Sequence, residues 1–211
     1  MSPLEIRNSM LAAKMIKNLE RRNMTAYYCP TAREAAAKVN ELLADGESVT
    51  WGGSVTLSDT GIIKALYDRG TLNIIDRATA QTAEEKLEMY RKAFCVDVYL
   101  TSANAISEDG VIVNIDGNGN RVAAITFGPK RVIFVISLSK VCATPEAALA
   151  RARSTAAPIN SARFPLKTPC KSDGTCHNCN SADSICNFIH FLRNSPQRRH
   201  TVILLGEDYG Y

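Results

Sequence analysis

The sequence predicts an α/β fold in which a mostly parallel β-sheet is flanked by helices and carries an antiparallel β insert. Three observations support this prediction. Apolar strand-like runs alternate with capped helical segments over the first half of the chain. Four apolar runs then follow one another closely, separated by short turns, which is typical of antiparallel pairing. The composition is that of an ordinary globular protein, with 45% hydrophobic and 22% charged residues among 211.

Capping residues mark the start of most predicted helices. Ser2, Thr31 and Thr82 each precede a glutamate by three positions, which is the spacing of a capping box. Thr144 is followed by Pro145, a residue that favours the first turn of a helix. The predicted helices span residues 2–23, 31–45, 58–69, 82–94 and 144–156.

The predicted strands are short, apolar and bounded by turn residues. The turns at residues 108–110 and 116–120 separate strands of the antiparallel insert. Residues 158–186 are rich in Pro, Gly, Ser, Asn and Cys, so we predict an irregular conformation there. The predicted strands span residues 24–29, 48–51, 71–75, 96–101, 111–115, 122–127, 131–137 and 201–205.

Charge and hydropathy narrow the classes of function. The formal net charge is +4, and the basic residues are spread out, which suits a small anionic ligand. One basic run, Arg193 to His200, lacks interleaved aromatic residues, so a zinc-stabilised nucleic-acid-binding module is the weakest alternative. No apolar run is long enough to span a bilayer, and we see no secretion signal. We therefore expect a cytoplasmic protein. We also expect one domain over residues 1–211, in which 158–190 is an irregular cysteine-rich segment. A homodimer is the default expectation for its assembly.

Four of the seven cysteines lie close together: Cys170, Cys176, Cys179 and Cys186. In a reducing compartment such a group favours metal binding, and reduced or disulfide-linked thiols are the alternative. Four thiolates suit an iron–sulfur cluster or a tetrahedral zinc ion. The spacing is neither that of a ferredoxin nor that of a zinc ribbon. His177 lies inside this group, and we interpret it as a neighbour because four cysteines already complete a ligand set.

A glycine-rich loop at residues 51–56 follows a predicted strand and precedes a predicted helix. Free backbone N–H groups at such a junction can hold an anion, and the loop's hydroxyls add donors. The pattern is neither a Walker nor a Rossmann motif, and a plain tight turn is the alternative. Two further polar turns, with Glu108 and with Asn120-Arg121, would complete an anion pocket if all three met at one sheet edge. The loop residues that we predict to form the pocket floor are Gly52, Gly53, Ser54 and Thr56.

The motifs of the chain resemble the LUD domain, the lactate-utilisation family. The resemblance covers nearly the whole chain in order and is to the short, stand-alone branch with a cysteine-rich C-terminus. It implies a fold like that of the NagB, ribose-5-phosphate isomerase and CoA-transferase superfamily. It also implies a role in oxidising lactate or a related 2-hydroxy acid, with an iron–sulfur cluster and other iron–sulfur subunits as partners. The matching motifs include residues 51–57 (WGGSVTL), 101–110 (TSANAISEDG), 118–121 (NGNR), 127–130 (FGPK), 139–141 (SKV), 156–160 (AAPIN), 184–187 (SICN) and 205–211 (LGEDYGY).

We count Asn120, Arg121 and Lys140 of these motifs as further ligand-binding candidates. Residues 107–110 (SEDG) also resemble the Ser-Glu-Asn-Gly signature of class I CoA-transferases, whose glutamate attacks an acyl-CoA. Asp109 departs from that signature, and an ordinary hairpin turn is the alternative. The second function is therefore an enzyme acting on a small anionic substrate, a CoA thioester or sugar phosphate, with Glu108 as nucleophile or base. Because Glu108 and Arg121 lie at opposite ends of a hairpin, a catalytic Glu108 should approach the glycine-rich loop and Arg121 should not.

Overall fold

The computed structural model describes residues 1–211 and contains two β-sheets. The strands are β1 Thr25–Cys29, β2 Ser48–Trp51, β3 Asn73–Ile74, β4 Val98–Thr101, β5 Ala105–Ser107, β6 Ile112–Asp116, β7 Arg131–Ser137, β8 Val141–Cys142, β9 Phe188–Leu192 and β10 His200–Leu205. The larger sheet has the order β1-β10-β7-β4-β2-β3, and every neighbouring pair is parallel. The smaller sheet has the order β8-β5-β6-β9; β6 is antiparallel to both of its neighbours, and β8 is parallel to β5.

The helices begin where the capping residues predicted. The side chains of Ser2, Thr31, Thr82 and Thr144 each accept a hydrogen bond from the first turn of the helix that follows. The helices are α1 Pro3–Arg21, α2 Ala32–Leu42, α3 Val55–Asp59, α4 Ile62–Arg69, α5 Ala83–Lys92, α6 Asn120–Thr126, α7 Pro145–Arg151, α8 Ala157–Ser161 and α9 Cys170–Asp173. A π-helical turn, Ala152–Ala156, joins α7 to α8. None of the helices has the length and hydropathy to cross a membrane.

Residues of the central strands face the two sides of the parallel sheet in turn. On β7, Phe134 packs in the apolar cluster that contains Met15 of α1, whereas Val135 packs in the cluster that contains Val39 of α2 and Leu66 of α4. Helices therefore cover both faces, which is why the central strands read as continuous apolar runs. A third cluster lies between the smaller sheet and α7.

The predicted fold class is confirmed, with corrections to individual elements. Residues 122–127 were predicted to form a strand, but they lie in α6 and its C-cap. Gly119 adopts a left-handed conformation (φ 79°) ahead of this helix, and Val122 and Ile125, three positions apart, are buried on one helical face. The helix predicted over 58–69 begins earlier, as α3, and is interrupted at Gly61 (φ 74°) before α4.

The antiparallel insert is a separate mixed sheet. Its strands β5, β8 and β9 contain only two to five residues and were not predicted. The runs at 98–101 and 131–137 belong instead to the parallel sheet as β4 and β7. The segment 158–190 contains part of α8, the single turn α9 and the start of β9, and otherwise has no regular structure.

We expect the buried His200 to make the fold acid-sensitive. Its Nδ1 lies 2.8 Å from Ser195 Oγ, and its Nε2 lies 2.9 Å from the Ile125 carbonyl oxygen. Burial lowers the pKa of His200 from 6.5 to about 4. The unfolded chain therefore binds this proton first as the pH falls, and we expect a loss of about 3 kcal/mol of stability between pH 6.5 and pH 4.

Urea unfolding of the wild type and of His200→Gln at pH 7 and pH 4.5 measures this contribution. The wild type should lose more stability on acidification than the variant, which has no imidazole to protonate at this position. Equal losses in the two proteins would show that His200 is not the acid-sensitive group.

Candidate functional site

A pocket of about 490 Å³ lies at the C-terminal edge of the parallel sheet. Residues that follow four of its strands line the pocket: Gly53 after β2, Ser102 after β4, Lys140 after β7 and Gly210 after β10. Open α/β sheets bind ligands at this edge, because successive loops converge there. The volume is in the range of small-molecule binding sites.

The structure brings most of the predicted ligand-binding residues into this one pocket. Gly52 is the exception, since its N–H donates to the Leu100 carbonyl oxygen at 3.3 Å and Tyr99 Oη lies 2.8 Å from where its side chain would begin. The predicted residues that line the pocket are Gly53, Ser54, Thr56, Asn120, Arg121 and Lys140.

The glycine-rich loop presents unpaired donors at the pocket. Ser54 caps α3 by accepting a hydrogen bond from the Leu57 N–H at 3.2 Å. The backbone N–H groups of the four residues 53–56 make no hydrogen bond within the chain. Because these residues line the pocket, their N–H groups are free to donate to a ligand there, and the anion site stays a prediction.

Arg121 is the most extensively bonded side chain of the pocket. Its Nε lies 3.5 Å from Asp116 Oδ2, a carboxylate that is itself buried. Because its four terminal N–H groups are all engaged by protein acceptors, Arg121 braces the pocket wall and contributes positive charge there. The acceptors of its terminal N–H groups, at 2.7–3.2 Å, are the carbonyl oxygens of Ser102 and Ile115 and the side-chain oxygens of Asn104 and Asn114.

Two unpaired polar atoms lie behind Arg121. Asn114 on β6 pairs in register with His190 on β9, so their side chains share one face of the small sheet. Asn114 Nδ2 and His190 Nδ1 are both buried without a hydrogen-bond partner. Burial and the charge of Arg121 lower the pKa of His190, which keeps its imidazole neutral at pH 7. The fold thus leaves one donor and one acceptor open next to the Arg121 network.

Lys140 is a buried amine without a carboxylate partner. It is 2% exposed, and its Nζ lies 3.0 Å from Thr56 Oγ1 and 3.3 Å from Ser102 Oγ. Burial, with smaller contributions from Arg151 and Arg121, lowers the pKa of Lys140 from 10.5 to about 7. At neutral pH the amine is therefore divided between its charged and neutral forms, which suits it to accept or donate a proton.

The charged side chains of the pocket are almost all basic. Asp116 is the single acidic residue among them. Such an excess of positive charge in a concave site favours an anionic ligand. Sequence reasoning missed three of the basic residues because they lie in segments that carry no motif. The basic residues are Arg77, Lys86, Arg121, Lys140 and Arg163.

Glu108 lies outside this pocket. Its Oε2 is 2.5 Å from Lys14 Nζ of α1, and Asp109 beside it pairs with Arg22. Glu108 precedes strand β6 and Arg121 follows it, so the two residues lie at opposite ends of that strand, as predicted. Arg121, however, is the one that lies at the glycine-rich loop. Its Cδ is 3.3 Å from the point where a side chain on Gly52 would begin. Glu108 therefore lacks the position that its predicted role as nucleophile or base requires.

The four clustered cysteines are free thiols in the segment between α8 and β9. Burial raises the pKa of Cys186 to about 11, with smaller contributions from the charges of Cys170, Cys176 and Cys179. No three His, Cys, Asp or Glu side chains are placed to hold a metal ion, so the predicted convergence on one point is absent in this arrangement. The donor chemistry, four thiols that form no disulfide, fits zinc or an iron–sulfur cluster. His177 pairs with Asp173 at 2.7 Å.

The cysteine-rich segment also forms part of the pocket wall. Phe164 and Leu166 line the pocket ahead of the first cysteine of the group, and Ile185 lines it next to the last. Asn187 Nδ2 donates to the Gly117 carbonyl oxygen at 2.9 Å and ties the end of the segment to the loop after β6. The candidate metal-binding residues and the ligand pocket are therefore parts of one region.

Comparison with known proteins identifies the family. The fold resembles the crystal structure of a DUF162 family protein from Deinococcus radiodurans, with a TM-score of 0.56 and 12% identity over 94% of this chain and 98% of that one. Ribose 5-phosphate isomerase A from Neisseria gonorrhoeae matches with a TM-score of 0.37 and 19% identity over 54% of each chain. No curated protein matches this chain at a significant level. The LUD domain profile matches residues 12–205, and the chain therefore belongs to the LUD domain family.

Proposed function

We propose that this chain binds a small 2-hydroxy acid, lactate or a relative, in the pocket at the sheet edge and serves in the oxidation of that acid. The observation that carries the proposal is Lys140, a buried amine with no carboxylate partner in a basic pocket. A ligand that brings both a carboxylate and a hydroxyl would supply the missing negative charge and a proton for exchange.

The pocket residues have distinct parts in this proposal. The unpaired N–H groups of residues 53–56 would donate to the ligand carboxylate, within the positive field of Arg121. Neutral Lys140 would accept the proton of the ligand hydroxyl at Nζ, and Thr56 and Ser102 hold that amine in place.

The second part of the proposal concerns the four clustered cysteines. Cys170, Cys176, Cys179 and Cys186 would hold an iron–sulfur cluster, with zinc as the alternative. A bound cluster would supply one-electron redox chemistry. Other iron–sulfur subunits as partners, a homodimer and a cytoplasmic location belong to the same hypothesis.

A second candidate function is an enzyme acting on another small anionic substrate, such as a sugar phosphate or a CoA thioester. The number of basic side chains in the pocket favours it, because one carboxylate does not balance them. Because Glu108 lies outside the pocket, it is not placed to be the base of this enzyme, and Lys140 would take that role.

Titration calorimetry of the full chain with L-lactate, D-lactate and propionate tests the ligand assignment. At least one lactate enantiomer should bind, and propionate, which lacks the hydroxyl, should bind more weakly. Lys140→Met should lose lactate binding, and Lys64→Met, which changes an exposed lysine on α4, should keep it. Absence of lactate binding, or equal binding by Lys140→Met, would overturn this assignment.

Metal and acid-labile sulfide analysis of chain purified without oxygen tests the cysteine assignment. We expect iron, sulfide and visible absorbance in the wild type, and their loss in Cys186→Ser. Cys95→Ser is the matched control, because Cys95 is exposed and lies outside the cysteine-rich segment. Bound zinc without sulfide would select the alternative metal, and a protein without either would contradict both assignments.

A further inference from the structure

Three basic side chains at the rim of the pocket have no carboxylate partner. Arg77 is half-buried, whereas Lys86 and Arg163 are exposed, and none of the three lies within ion-pair distance of an acidic group. Arg121 differs, since its four terminal N–H groups are engaged by protein acceptors and its Nε lies within ion-pair distance of Asp116. Besides the buried Lys140, the basic side chains of the pocket without an acidic partner are therefore these three.

Two neighbouring contacts hold Arg77 in place. Its guanidinium lies 5.3 Å from the centroid of the Tyr90 ring, and its Nη1 lies 3.3 Å from Tyr90 Oη. Its Nη2 lies 2.5 Å from the point where a side chain on Gly53 would begin. Gly53 does not have a positive φ, so its backbone conformation does not require glycine. A side chain at this position would instead collide with the Arg77 guanidinium.

The paired glycines thus make room for two arginines: Gly52 for the aliphatic part of Arg121, and Gly53 for the guanidinium of Arg77. This arrangement brings Arg77 beside the unpaired N–H groups of residues 53–56. A planar guanidinium is well suited to hold the oxygens of a phosphate.

We propose that Arg77, Lys86 and Arg163 form a phosphate-type subsite, and that the ligand is a phosphorylated 2-hydroxy acid rather than a simple one. The 2-hydroxy-acid end of this ligand rests on the function proposed above, whereas the subsite rests on the rim charges alone. A pocket of about 490 Å³ also exceeds the needs of a three-carbon acid. Three basic side chains that line one pocket without an acidic partner are complementary in charge to a dianionic group.

Calorimetry with D-glycerate and 3-phosphoglycerate tests the subsite, because these two probes differ only in the phosphate. We expect the wild-type chain to bind 3-phosphoglycerate about 10- to 100-fold more tightly, the range of one or two charge-assisted hydrogen bonds. Arg77→Gln should remove most of that difference in affinity between the two probes. Gly53→Ala, whose new methyl group displaces the Arg77 guanidinium, should act in the same direction.

Arg91→Gln is the matched control, since Arg91 is an exposed residue of α5, like Lys86, but does not line the pocket. It removes the same charge and should keep the preference for 3-phosphoglycerate. Circular dichroism melting of each variant separates lost binding from lost folding. Equal affinities for the two probes, or a preference that survives in Arg77→Gln, would overturn the subsite.

Inorganic phosphate separates this proposal from the proposed function. If D-glycerate does not bind but inorganic phosphate binds and is lost in Arg77→Gln, the subsite stands and the 2-hydroxy-acid assignment fails. If D-glycerate binds as tightly as 3-phosphoglycerate and inorganic phosphate does not bind, the assignment of the hydroxy acid stands and the subsite fails.

Discussion

Replacing Lys140 with methionine is expected to stabilise the chain at neutral pH. The folded state holds this amine away from water, with its pKa lowered from 10.5 to about 7 by burial. The unfolded chain therefore binds more protons than the folded chain between pH 7 and pH 10.5, and wild-type stability should rise across that window by roughly 5 kcal/mol. Methionine fills a similar volume without a charge to desolvate.

Urea unfolding of the wild type and of Lys140→Met at pH 7 and pH 9.5 measures this effect. At pH 7 we expect the variant to be about 1–3 kcal/mol more stable than the wild type. This is only part of the stability gained by removing the buried amine, because the hydroxyls of Thr56 and Ser102 lose their hydrogen bonds with Nζ. The difference should shrink or reverse at pH 9.5. Lys64→Met should follow the wild type at both values, and a constant difference between wild type and Lys140→Met would contradict the prediction.

Removal of the Arg121 side chain should have the opposite effect on stability. Arg121→Met removes one donor from each of four oxygen acceptors and leaves the buried Asp116 without its cation. We expect a loss of about 3–5 kcal/mol, the usual cost of leaving one partner of a buried ion pair unpaired. Arg121→Lys should recover only part of this loss, since an ammonium cannot reproduce the planar fork.

Arg77→Met is the matched comparison for this measurement. Arg77 lines the same pocket but has no carboxylate partner and bonds only to Tyr90 Oη. Its replacement should change the free energy of unfolding by less than about 1 kcal/mol. Equal losses in Arg77→Met and Arg121→Met would show that the Arg121 network does not support the fold. The contrast separates an arginine that braces the pocket from one that is open to a ligand.

Local signals were sufficient for much of the fold. The N-caps Ser2, Thr31, Thr82 and Thr144 lie where predicted, because a hydroxyl that pairs with the first turn acts over only three residues. The central strand β7 was also predicted, since burial on both faces leaves a continuous apolar run. The glycine-rich loop could likewise be identified as a candidate anion site before its surroundings were known.

Residues 122–127 illustrate where local signals failed. Valine, isoleucine and phenylalanine favour strands, yet this segment is α6, because Gly119 turns the chain and the buried face of the helix packs in the core. Strands β5 and β8 contain only three and two residues, and β9 is a mostly exposed strand that follows the irregular cysteine-rich segment, so none of the three shows a clear buried-strand pattern. Their pairing depends on neighbours that are distant in sequence.

The sequence was therefore enough to establish the α/β class, the starts of the four helices capped by Ser2, Thr31, Thr82 and Thr144, the cysteine group and the loop that carries the candidate site. Tertiary structure alone decided that Arg121 and not Glu108 lies at that loop, that Lys140 is buried without a counter-ion, and that basic side chains from remote segments join it. The physical reason is that capping and strand periodicity act between near neighbours, whereas burial and electrostatic pairing depend on which distant segments the fold brings together.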